Sequence, residues 1–178
     1  MKTNFIFSLL ILTCLSASVT DAKGITLNNA PAQVYFSPHG GCTEAVVDAL
    51  NRAKSEVLIQ AYSFTSKNIA KALLEAHTRG VHVEIILDKS NRSKKYSAGD
   101  FTAHMGIPTY IDSAHTIAHN KVMIIDKETV ITGSFNFTKA AENNNAENLL
   151  IISSMDLAKY FIENWERHKG HSEPYMGR

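Results

Sequence analysis

Three short stretches carry side chains that could do chemistry together. Residues 119–126 read His-Asn-Lys-Val-Met-Ile-Ile-Asp, residues 133–137 read Gly-Ser-Phe-Asn-Phe, and Glu147 precedes Asn148. On an extended chain, positions two apart share a face. His119 and Lys121 therefore project together, as do Ser134 and Asn136. An imidazole fixed beside an ammonium suits an anionic phosphate. The ring can act as nucleophile or acid near neutral pH, and the ammonium is a compact charge for the non-bridging oxygens. Ser134 and Asn136 offer hydrogen bonds to the same oxygens. Glu147 can accept the second ring proton of a histidine and fix its tautomer. Asp126 closes the apolar run behind Lys121, either as a hairpin-turn residue or as a group supporting the site.

The elements that must position these groups follow from periodicity. Residues 33–36 read as a strand stopped by Pro38-His39-Gly40-Gly41, and 43–53 as a helix with Val46, Ala49, Leu50 and Ala53 on one face. The apolar run 57–63 is a buried strand. Ser66 caps a helix whose stripe is Ile69, Ala70, Leu73, Leu74 and His77, and Gly80 ends it. Residues 81–88 form another strand, 89–95 a polar loop with four cations, 97–105 a short helix and 109–111 a short strand. Residues 121–126 and 129–132 make a hairpin, 148–153 a strand, and 155–169 a terminal helix with Leu157, Phe161 and Trp165 inward. Alternating strands and helices, then strands, then a helix predict a single α/β domain: a mixed β-sheet flanked by helices on both faces.

Other histidines carry less. His39, His77, His82, His104, His168 and His171 have no chemical company in the sequence and read as surface or packing residues. His115 and His119 have a metal spacing only if helical, and no carboxylate cluster accompanies them, so no metal site is expected. Ser134 lacks the Gly-x-Ser-x-Gly elbow of a serine hydrolase. The cations of 89–95 are either solvated surface or the rim of a groove for a polyanion.

The 178 residues are 44% hydrophobic and 20% charged, which excludes wholesale disorder and coiled coil. A formal charge of +1 argues against a nucleic-acid coat protein held by bulk charge, but not against an enzyme with a locally basic groove. Lys2, the apolar run 5–15 and Thr20-Asp21-Ala22 read as a secretory signal peptide over residues 1–22, so the domain spans 23–178 and export to a periplasm or the medium is expected, with no membrane anchor after cleavage. Cleavage would remove Cys14 and leave Cys42 as the one cysteine, a buried small residue without an intrachain disulfide.

The pattern His119-x-Lys121-x-x-x-x-Asp126, followed by Gly133-Ser134-x-Asn136, resembles the signature of the phospholipase D superfamily, and the whole mature chain resembles its small Nuc-type bacterial endonucleases. That resemblance implies attack on phosphorus by the motif histidine, a covalent phosphohistidine, a second motif histidine protonating the leaving oxygen, and no metal or cofactor. It implies that His119 is the reacting histidine, that Lys121 and Asn136 bind phosphate with Ser134 in support, and that Glu147 orients a histidine. Asp126 takes a supporting part. The chain has one copy of the motif. A second histidine must then come from another subunit, which predicts a homodimer with the active site at a twofold interface. The expected substrate is nucleic acid, cleaved without sequence specificity. The alternatives are phosphatidylcholine or a related lipid, or a non-catalytic nucleic-acid-binding module.

Overall fold

The computed structural model describes residues 24–93 and 97–177; the stretch read as a signal peptide and Lys94 and Lys95 of the cationic loop lie outside them. Strand β1 (Ala32–Ser37) leads through helix α1 (Cys42–Arg52) to β2 (Glu56–Ala61), and α2 (Lys67–Thr78) leads to β3 (His82–Asp88). A 3-10 turn (Lys89–Ser93) and α3 (Ala98–His104) bring the chain to β4 (Thr109–Asp112). Then follow β5 (Lys121–Ile125), β6 (Thr129–Gly133), α4 (Lys139–Asn143), β7 (Glu147–Ser153), α5 (Met155–His171) and β8 (Glu173–Pro174).

These strands form one sheet in the order β1-β7-β6-β5-β2-β3-β4-β8. β2, β3 and β4 run parallel, joined by helical crossovers; every other pairing is antiparallel. Side-chain alternation along the strands divides the apolar residues between two faces. Val57, Ile59 and Ala61 of β2 pack with α1 and α2, whereas Leu58 joins Val122, Ile124, Val130 and Trp165 under α5. The predicted mixed sheet with helices on both faces is the observed fold.

Local chemistry sets the boundaries. Ser66, Thr138 and Ser154 each cap a helix by accepting the N–H of the residue three further on. The β5–β6 turn places Asp126 and Lys127 at φ 54° and 59°, the left-handed pair of a type I′ hairpin. Cys42 is fully buried at the start of α1; burial, then the Glu142 charge, pushes its thiol up to about 11. Among the described residues, no helix is long and apolar enough to cross a membrane.

Candidate active site

Strand direction gathers the site. β7, β6, β5 and β2 alternate in direction, so β5 and β7 begin where β6 and β2 end. The register places Lys121 opposite Ala61 and Gly133 opposite Leu149. His119, Ser134, Glu147 and Tyr62 all lie just beyond that row, at one edge of the sheet.

Lys121 is only 6% exposed. Its Nζ donates to the His119 carbonyl at 3.1 Å and lies 5.1 Å from the Tyr62 ring centre. Burial lowers its pKa, and the charge of Glu147 works the other way. A phosphate oxygen arriving here would meet a poorly hydrated cation, which strengthens the attraction. The His119 ring is exposed and packs on Tyr62, centroid to centroid 4.6 Å. It makes no hydrogen bond or ion pair with any of the described residues.

The chain before His119 is fixed by groups the sequence reading missed. Ala118 N–H donates to Asp88 Oδ2 at 2.8 Å, and Tyr62 N–H donates to the Asn120 carbonyl at 2.8 Å. Asp88 is buried; desolvation opposes its charge, but hydrogen bonds from Ser90 and Ala118 hold its carboxyl below the usual range. Tyr62 and Asp88 both follow or end apolar strands, a position no short motif marks.

Ser134 and Asn136 are held by what alternates with them. Phe135 and Phe137 are buried in the core, and the Phe137 carbonyl accepts the N–H groups of Thr65 and Ser66, both at 3.0 Å. Ser134 Oγ accepts the Asn148 N–H at 3.1 Å, which leaves its own proton to donate. Asn136 Oδ1 is buried without a partner among the described residues, so the fold does not tie up that amide. Gly133 sits at φ 146°, where an added Cβ would lie 2.3 Å from the Asn148 carbonyl oxygen. Only glycine allows β6 and β7 to approach so closely.

Within one chain Glu147 makes no hydrogen bond to the His119 ring; it accepts from Asn145 Nδ2 at 3.0 Å and acts on Lys121 through its charge. Asp126 takes the hairpin-turn part of its two expected roles. Asp126 lies at the far end of β5, about 16 Å along the strand from Lys121. Its carboxylate accepts from Ser55 N–H and Oγ and from the Lys54 and Glu56 N–H groups, so it ties the α1–β2 loop to the hairpin and does not reach the pocket. Of the loop cations, Lys89 donates to the His115 carbonyl and Arg92 pairs with Glu173. His115 turns away from His119 toward Asp112, where His168 and His171 also converge. Asp-x-x-His and His-x-x-His spacings mark the two halves of this cluster in the chain, but nothing local joins them.

A histidine and a lysine facing a serine and an asparagine across a sheet edge define a class of enzyme that works on phosphate diesters. Residues 46–169 match the family described as "Cardiolipin synthase, PLD-like domain", and the chain belongs to the phospholipase D superfamily of phosphodiesterases. It is 42% identical over 143 residues to a phospholipase D of Rickettsia conorii, covering 80% of this chain and 72% of that one. The crystal structure of Nuc, a phospholipase D family member from Salmonella typhimurium, superposes with a TM-score of 0.79 at 42% identity, over 82% of this chain and 98% of that one. NucT from Helicobacter pylori shares the fold, with a TM-score of 0.74 at 24% identity over 82% and 99% of the two chains.

Proposed function

We propose that the protein is an endonuclease that hydrolyses DNA or RNA phosphodiester bonds through a phosphohistidine, without a metal ion in the reaction. The observation that carries this reading is an exposed His119 ring, hydrogen-bonded to none of the described residues, beside a buried Lys121. His119 attacks phosphorus, forming an N–P bond as the P–O bond to the leaving group breaks. A proton from a second histidine goes to the departing oxygen. Water then attacks phosphorus, breaking the N–P bond and returning a proton to that second histidine. Lys121, Ser134 and Asn136 face the charge that develops on the non-bridging oxygens. Similarity to Nuc over nearly all of that chain supports a nucleic-acid substrate.

The second histidine is His119 of another copy, in a homodimer. Edge strand β1 supports this, because Val34 and Phe36 are 54% and 66% exposed on one face, beside Asn148 of β7. A patch that meets itself across a twofold axis would bring two His119 rings together. One ring must start neutral and the other protonated, so the rate should be bell-shaped in pH, with apparent values that belong to the pair. Export is part of the same reading and rests on the sequence of residues 1–22. N-terminal sequencing of the exported protein should begin at Lys23.

A lipid substrate is the second reading, favoured by the name of the Rickettsia relative and by a cleft of about 720 Å³ lined by Ala70, Ala98 and Phe101 that could take an acyl chain. Plasmid DNA and phosphatidylcholine assayed in parallel decide between them. Nucleic-acid cleavage lost in His119→Ala, with label from phosphorus trapped on the wild-type ring, is expected. Cleavage of the lipid alone, or full turnover without label on histidine, refutes the proposal. A fully active monomer by light scattering refutes the dimer.

A further inference from the structure

Three rings and a buried carboxylate meet on the same edge of the sheet, well away from His119. Asp112 ends β4, and its side chain is fully buried. Its Oδ2 is approached by His168 Nδ1 at 2.7 Å, His115 Nδ1 at 3.1 Å and His171 Nε2 at 3.4 Å. The ring centroids stand 4.9, 5.2 and 5.2 Å apart, an almost equilateral triangle. His115 Nδ1 stands equally close to Oδ1, at 3.1 Å. Three imidazoles gathered on one buried carboxylate bring three nitrogen ligands and an oxygen ligand together, and a cation among them would engage all four at once.

We propose that Asp112, His115, His168 and His171 form a binding site for one tetrahedral divalent transition-metal ion, with Zn²⁺ the best match. One donor atom from each residue lies within 4.8 Å of all the others. Metal–ligand bonds of about 2.0–2.1 Å give tetrahedral edges of about 3.3 Å. The observed N···O distances bracket that edge, and the widest separation among the four donors, within 4.8 Å, is closed by side-chain rotation on binding. Three imidazoles and one carboxylate suit Zn²⁺ and disfavour Mg²⁺ or Ca²⁺, which take oxygen ligands. Four protein donors leave no open position, the mark of a structural site rather than a hydrolytic one. The surroundings fit as well. Ala114 N–H donates to Asp112 Oδ1 at 3.1 Å and orients the carboxylate. The ammonium of Lys89 is directed at the His115 carbonyl rather than at a ring nitrogen.

The ion would add a cross-link among the end of β4, the stretch 113–118 that leads to His119, and the last turn of α5, which β8 already brings beside β4. His168 and His171, three apart, share one helix face there. Three strand spacings, about 14 Å, separate this cluster from β5, so the site does not depend on the reaction proposed for His119.

The test uses untagged protein stripped with a chelator and dialysed. Zn²⁺ titration should give one equivalent per chain, and the melting temperature should rise by about 5–10 °C at a hundredfold excess over Kd. Co²⁺ should give the intense visible bands of a tetrahedral site and be displaced by Zn²⁺. The double variant His168→Ala, His171→Ala should lose uptake and the thermal shift, while His82→Ala keeps both. If the double variant does not fold, His115→Ala, whose ring is half exposed, is read by loss of the Co²⁺ bands. No uptake by the wild type, octahedral Co²⁺ bands, or uptake undiminished in the variants would overturn the proposal.

Discussion

The His119 pocket and the Asp112 cluster stand on one edge of one sheet and treat imidazole in opposite ways. His119 is exposed, touches the Tyr62 ring and meets no carboxylate among the described residues. His115, His168 and His171 crowd a carboxylate that is fully buried. Burial raises the Asp112 carboxyl, but hydrogen bonds from His168, His115, His171 and Ala114 bring it down to about 2. A ring with both nitrogens uncommitted can make and break bonds to phosphorus. Rings already spent on a buried anion hold chain segments together. Histidine content therefore says little about chemistry here, and the partners of each ring say a great deal.

Substitutions should separate the two regions. His119→Ala should lower kcat by about 10⁴-fold or more and leave the melting curve unchanged. His168→Ala should do the reverse, with the rate at 25 °C within about threefold and a lower melting temperature; equal rate losses in both would merge the two regions. Next in size, Lys121→Met should lower kcat by about 10²–10³-fold, the cost of one lost charge facing the phosphate. It should not destabilise the fold, because it removes a buried ammonium; calorimetry on the same sample checks this.

Asp126→Asn should cost about 1–3 kcal/mol in urea unfolding, from hydrogen bonds weakened or lost to the loop, while kcat stays within about threefold. Burial opposes the charge of Asp126, but hydrogen bonds from Ser55, Glu56 and Lys54 hold its carboxyl below the usual range. The stability it contributes is therefore complete above the unfolded-state pKa, about 4, and is lost as pH falls through the lower folded value. The gap between wild type and variant should be widest near pH 7 and should close in acid. The smallest effect is at Cys42. Buried, with its thiol pushed up to about 11, it should stay unmodified by thiol reagents at pH 8 until the protein is unfolded.

Much of this was legible in the residues. The sheet order could not be read, but the strands could, because Val122 to Ile125 is a continuous apolar run, Val57 to Ala61 is one broken only by Gln60, and Ser66 and Gly80 punctuate α2 as caps do. β8 and α4 were not, since Glu173–Pro174 and Lys139–Asn143 carry no periodic apolar stripe and exist through tertiary pairing. At the site, His119, Lys121, Ser134 and Asn136 were found because their spacing is local. Asp88 and Tyr62 were not, because their contacts with the approach to His119 span about thirty residues or more. Asp126 was drawn toward the chemistry by its place in the motif, although five strand residues carry it away. The histidine cluster escaped because its halves lie more than fifty residues apart.

Strand β1 completes the sheet from a great distance along the chain: the Ser37 hydroxyl holds the Glu147 N–H across 110 residues, whereas β5, β6 and β7 pair with near neighbours. Contacts that close such long loops form late in folding and are among the first to open when the protein is warmed. An opened edge would free the start of β7 beside Lys121 while the rest of the sheet stays intact. Heat inactivation should therefore precede global melting, and the earliest amides to exchange with deuterium should be those of residues 32–37.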